Sequence, residues 1–160
     1  MNIPFVYGKI AEKGFFTNRQ QELKRLKNNF NAGINTIIIS PRRWGKSSLV
    51  KKATEILSKE EKNIKVCFVD LFKTRSEKEF YEVFTREVIK VSSTKWQDWA
   101  NTAGEMFKKI VPRLSIGPDP ENDFTISFDW NSGIKNIDEI LNLPEKIALK
   151  KKIRIIICLD

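Results

Sequence analysis

Ser40-Pro41-Arg42-Arg43-Trp44-Gly45-Lys46-Ser47 is the stretch on which the reading of this chain turns. It follows the apolar run Thr36-Ile37-Ile38-Ile39 and leads into an amphipathic segment, Ser48 to Ser58. A β-branched run predicts a strand and the segment after the loop predicts a helix. That is the layout of a Walker A phosphate loop. A polyphosphate needs a concave set of backbone N–H donors and a positive helix end, and a strand-to-helix turn supplies both. In this reading Gly45 lets the main chain approach the phosphates, Lys46 neutralises them, and the Ser47 hydroxyl completes a Mg²⁺ shell. Ser40 stands where the motif usually has its first glycine, so the match is small-x-x-x-x-G-K-S. The alternative is an ordinary strand–turn–helix connection carrying Gly-Lys-Ser by accident. The strand and helix patterns on either side favour the nucleotide site.

Outward from the loop, strand and helix patterns alternate, which argues for an α/β sheet. The helix after the loop has Leu49, Ala53, Ile56 and Leu57 on one face. A second strand is predicted over Ile64–Leu71. A helix then begins near Ser76, where Ser76 and Glu79 have capping-box spacing, and runs to about Val91 with Phe80, Phe84, Val88 and Val91 on one face. Another is predicted over Lys95–Ile110, its stripe made by Trp96, Trp99, Ala103, Met106, Phe107 and Ile110, with Pro112 marking its end. Packing against a neighbouring helix explains that aromatic stripe better than a base-stacking platform.

Arg113–Ile116 and Phe124–Trp130 alternate apolar and polar residues around a segment dense in turn formers, Gly117 to Asp123, so positions 113–130 read as a hairpin insertion. A helix over Ile137–Lys151 should kink or restart at Pro144. The last predicted strand is Ile153-Arg154-Ile155-Ile156-Ile157-Cys158-Leu159-Asp160.

With 160 residues the chain has one domain's worth of sequence. Its 41% hydrophobic and 31% charged residues form an ordinary globular composition, and no run approaches the ~18 apolar residues of a membrane helix. The start of the chain lacks a signal-peptide pattern, so a cytoplasmic location is expected. Cys67 and Cys158 each lie inside an apolar run and read as free, buried strand residues. The chain has no histidine, which removes the commonest general base and most zinc chemistry. Net charge is +9, much of it in Lys24-Arg25-Leu26-Lys27 and Lys150-Lys151-Lys152-Ile153-Arg154. Solvated faces and helix ends explain these clusters better than a nucleic-acid footprint.

An apolar strand ending in Asp is the Walker B pattern, in which a buried parallel strand delivers a carboxylate to the Mg²⁺ shell beside the phosphate loop. Val66-Cys67-Phe68-Val69-Asp70 and Ile155-Ile156-Ile157-Cys158-Leu159-Asp160 both qualify. No Asn-Lys-x-Asp guanine signature is present, which favours adenine.

Taken together these segments resemble the archaeal-type P-loop ATPases of the STAND/AAA+ assemblage, over nearly the whole chain. Phe15-Phe16-Thr17-Asn18-Arg19-Gln20-Gln21-Glu22-Leu23 is similar to that family's leading F-x-x-R-x-x-E-L segment. Ser40 to Leu49 resembles its G-P-R-R-x-G-K-[ST]-S-L loop, Phe68-Val69-Asp70-Leu71 its second strand, and Ile155 to Asp160 its Walker B strand. The resemblance implies a P-loop NTPase parallel sheet with flanking helices, here incomplete, with the first three core strands plus the hairpin. It implies ATP and Mg²⁺ as ligands, Lys46 and Asp160 in catalytic roles, and Ser47 and Asp160 at the metal.

Ser40, Pro41, Arg42, Arg43, Trp44, Gly45, Lys46, Ser47 and Ser48 would form the phosphate loop. Arg42 and Arg43 would contact phosphate or carboxylates, or simply stand in solvent. Phe16, Asn18 and Arg19 would lie near the adenine with Ile3, Pro4 and Phe5 closing over it, unless they serve only N-terminal packing. Asp160 is preferred over Asp70 as the Walker B residue. In the family a Glu follows that Asp, and the sheet order resembles 5-1-4-3-2. The expectation is therefore that residues 1–160 are the N-terminal portion of a longer ATPase domain, with Thr36–Ile39 lacking its strand neighbours and little hydrolysis by this chain alone.

In the intact protein, ATP binding and hydrolysis would drive conformational change on a protein or nucleic acid partner. The sequence does not set the oligomeric state. Two other classes stay open: a basic nucleic-acid-binding module without nucleotide chemistry, and a small P-loop kinase using Asp70.

Overall fold

The computed structural model describes residues 19–72, 74–92, 96–107, 112–117, 124–130 and 137–160. They fall into two units, residues 1–62 and 63–160. In the first, α1 (Gln20–Asn31) packs against α2 (Lys46–Glu60). Leu23 and Leu26 of α1 and Leu49 and Ala53 of α2 form the buried cluster, with Phe30, Ile38, Val50 and Ile56 against it. The i, i+4 spacing of Leu49 and Ala53 places both on the face turned to α1. Lys27 Nζ donates to Glu60 Oε1 at 2.6 Å, tying the far ends of the two helices.

The predicted strand Thr36–Ile39 is a correction. Residues 34–40 carry no strand assignment, and no sheet ladder forms there. Ile38 packs into the helical cluster while Ile37 and Ile39 are 88% and 91% exposed. The alternation of a half-buried strand is present, but among the described residues no neighbouring strand supplies the hydrogen bonds that make one. Asn29 Nδ2, donating to Thr36 Oγ1 at 3.1 Å, fixes the start of the segment to α1.

The second unit is mixed α/β. Its sheet has two parallel strands, β1 (Ile64–Val69) and β4 (Arg154–Leu159), where three core strands were predicted. The register runs from Ile64 opposite Arg154 to Val69 opposite Leu159. Between them in sequence come α3 (Glu77–Ser92), α4 (Trp96–Met106), the antiparallel hairpin β2 (Pro112–Ile116) and β3 (Phe124–Phe128), then α5 (Ile137–Leu141) and α6 (Leu143–Lys151). Helix α3 packs on β1, β3, α4 and α6. Tyr81, Phe84, Val88 and Ile89 of α3 are buried with Phe124, Ile126 and Phe128 of the hairpin and Ile140, Leu143 and Ile147 of α5 and α6. Glu82 accepts from Trp130 Nε1 at 2.9 Å and from Phe128 N at 3.3 Å, stitching the hairpin to α3.

Several predicted boundaries are recovered with their causes. Ser76 Oγ accepts from Glu79 N at 3.2 Å, and Glu79 Oε2 accepts from Arg75 N at 2.6 Å, so the capping box closes one residue early on its return bond. Pro144 sits in the first turn of α6, and the predicted single helix is two, divided at Asn142. The second strand stops at Val69, two residues short of the expected end. The side chains of Trp96 and Trp99, and the whole of Ile110, lie outside the described residues. Among the described residues no helix is long and apolar enough to cross a membrane.

Lysines near the end of α6 reach the carboxyl ends of its neighbours. Lys151 Nζ donates to Ser92 O at 2.6 Å and Lys146 Nζ to Met106 O at 3.3 Å, while Lys150 pairs with Glu105. Ser92 and Met106 are the last residues of α3 and α4, whose orphan carbonyls and negative dipole ends attract cations.

Candidate functional site

The loop before α2 is built by two left-handed residues. Arg43 has φ 68° and Gly45 φ 70°. Glycine adopts that conformation without a Cβ clash, whereas for Arg43 it costs about 1–2 kcal/mol. Gly45 is the N-cap of α2 and donates no side-chain cap, and the first turn of the helix holds no acidic residue. The positive helix end is therefore not neutralised by a carboxylate of its own first turn.

Lys46 crosses the loop. Its Nζ donates to Ser40 O at 2.9 Å and to Pro41 O at 3.2 Å, so the side chain at the helix start bridges back to the first two residues of the loop. An ammonium carries three donors, and these two bonds leave capacity for a third acceptor. The bridge is made to carbonyls of the loop itself and not to a carboxylate. Ser40 Oγ is shielded from solvent and has no hydrogen-bond partner among the described residues. Such a group costs about 1–3 kcal/mol when left unpaired. Trp44 is 67% exposed.

Arg19 was expected beside a base, and its guanidinium goes to the loop itself. Nη1 donates to Trp44 O at 2.9 Å and approaches Gly45 O at 3.4 Å, while Nε bonds Glu22 Oε1 at 3.1 Å. The Glu22 carboxyl is held below the usual carboxylate range by its own backbone hydrogen bond and then by Arg19. No sequence signal pairs positions 19 and 44. Of the other residues expected near the base, Phe16, Asn18, Ile3, Pro4 and Phe5 lie outside the described residues.

The two candidate Walker B carboxylates belong to the second unit. The parallel register brings both strands to the same end of the sheet, where Asp160 N donates to Val69 O at 3.1 Å and Leu71 N to Asp160 O at 2.8 Å. Asp70 Oδ1 accepts from Phe72 N at 3.0 Å, an Asx turn that ends β1 and gives this carboxylate a local structural task. Nearby thiols are inert. Burial pushes Cys67 up to about 12, with Glu87 and Cys158 adding to it, and burial followed by Asp160 pushes Cys158 up to about 11. Both cysteines are free, Cys67 buried and Cys158 half-buried.

Among the described residues no three His, Cys, Asp or Glu side chains gather as a metal cluster. A hydroxyl such as Ser47 and a single carboxylate suit Mg²⁺ only together with oxygens from a bound phosphate. No protein-family description, no curated protein and no solved structure matches this chain.

Proposed function

We propose that the chain is the ATP-binding part of a P-loop ATPase of the STAND/AAA+ kind, with Ser40–Ser48 as its phosphate loop. The observation that carries the reading is the loop's geometry. Lys46 is drawn across to Ser40 O and Pro41 O above the start of α2, which opens on a left-handed Gly45. A turn of this kind presents a cation and a helix N-terminus to one anion, and phosphate is the biological anion that needs both.

Lys46 would bind the β/γ-phosphates, and the Ser47 hydroxyl would hold Mg²⁺ in company with phosphate oxygens. That ion would supply charge neutralisation at the transferring phosphate. In a longer ATPase domain the bound and hydrolysed states would act on a protein or nucleic acid partner through conformational change. Titration calorimetry with ATP and GTP tests the reading on wild type and Lys46→Ala. The expected result is saturable heat with ATP in wild type and at least about a tenfold loss of affinity in the variant, the scale of one charge-assisted contact. Equal heats for both proteins would remove the nucleotide claim.

A further inference from the structure

We infer that Arg19 is a positioning residue that fixes the Trp44–Gly45 peptide with the Gly45 N–H turned away from Arg19 and free to meet the proposed phosphate. The inference rests on the proposed nucleotide site for what that amide meets, but the peptide's orientation stands on its own geometry. Every described peptide bond is trans, so the Trp44 C=O and the Gly45 N–H point in opposite directions across one plane. Arg19 Nη1 holds that carbonyl at 2.9 Å, which turns the amide away from Arg19.

The neighbouring peptide, whose Gly45 O the same Nη1 also approaches at 3.4 Å, has a stronger guarantor. Gly45 O accepts from Leu49 N at 2.9 Å, the first helical bond of α2, so the helix itself aligns the Lys46 N–H. Trp44 lies before the N-cap, and no helical bond reaches its carbonyl. Gly45 populates either sign of φ, so sterics do not prevent the plane between residues 44 and 45 from turning over. A turned plane would aim a carbonyl oxygen where an anion needs a donor. The planar guanidinium prevents this because it is itself anchored, with Nε on Glu22 Oε1 at 3.1 Å and Nη1 on the loop.

Nitrogen-15 spectra of the full chain test the inference, with Arg19→Met as the variant because it keeps the aliphatic stem and removes the donors. Without ligand, wild type should give one sharp Gly45 amide signal. Arg19→Met should broaden or split it on the microsecond-to-millisecond scale while Ala53 and Leu57 in α2 keep their shifts. With ADP, the Gly45 amide of wild type should move downfield, and the variant should bind about tenfold more weakly. A Gly45 signal in ligand-free Arg19→Met as sharp as wild type overturns the proposal. If wild type binds no ADP, the nucleotide reading falls, and the ligand-free spectra still decide the role of Arg19. Should Arg19→Met fail to fold, Glu22→Ala removes the acceptor that anchors the guanidinium, and an unchanged Gly45 signal in that variant overturns the proposal equally.

Discussion

Two isoleucine-rich stretches of this chain share a composition and have opposite fates. Ile155-Ile156-Ile157 lies in β4, paired residue for residue with β1. Ile37-Ile38-Ile39 forms no ladder, and two of its three side chains are almost fully exposed. β-propensity is a statement about fitting a pleated surface that already has neighbours, not about the backbone of one segment. The first stretch has the residues of a strand without a partner strand, and helices α1 and α2 give it only a place for Ile38.

Hydrogen exchange gives the widest separation between the two. The amides of β4 bonded to β1 should be slowed about a hundredfold or more, as expected of ladder hydrogen bonds to the buried strand β1. Those of residues 36–39 should exchange within about tenfold of an unstructured chain. Slow exchange at Ile37 and Ile39 would mean that the two segments are alike after all.

Mutation should repeat the contrast in energy. Val69→Ala, at a fully buried position of β1, should cost about 2 kcal/mol in urea unfolding, from two lost methyl groups and the space they leave. Ile37→Ala, at an exposed position, should stay within about 0.5 kcal/mol. A larger loss at Ile37 than at Val69 would reverse the comparison.

A smaller effect comes from the cysteines of the paired strands. Their thiols ionise less readily folded than unfolded, with Cys67 raised from 9.0 to about 12 and Cys158 from 9.0 to about 11. The neutral form belongs to the fold, so this contribution is complete below pH 9 and is lost as pH rises through the folded values. The urea midpoint should therefore fall between pH 9 and pH 11, and Cys67→Ala should flatten that fall. Alkylation of either thiol at pH 8 should be slow while the sheet is intact.

Local chemistry was legible in the sequence wherever a short segment settles its own conformation. Ser76 and Glu79 mark a helix start, Pro144 marks a restart, and the alternation of Phe124, Ile126 and Phe128 marks a strand with one buried face. The Gly-Lys-Ser of the loop was legible for the same reason, since Gly45 and the helix behind it are adjacent in sequence. What escaped depends on residues far apart. The missing neighbours of Thr36–Ile39 were expected, and what escaped was that the segment does not become a strand without them. Arg19 reaches Trp44 only because α1 folds back on α2, and a leader motif read by resemblance pointed it toward a base. The spacing of 25 positions between them carries no periodic signal.

The bridge from Lys46 to the start of its loop has a thermodynamic corollary. A lysine in solution samples many rotamers, and immobilising one costs up to about 2 kcal/mol of entropy. Here folding has already met most of that cost, because the ammonium is seated on Ser40 O and Pro41 O before any anion arrives. A phosphate bound as proposed would then meet a side chain with little left to lose.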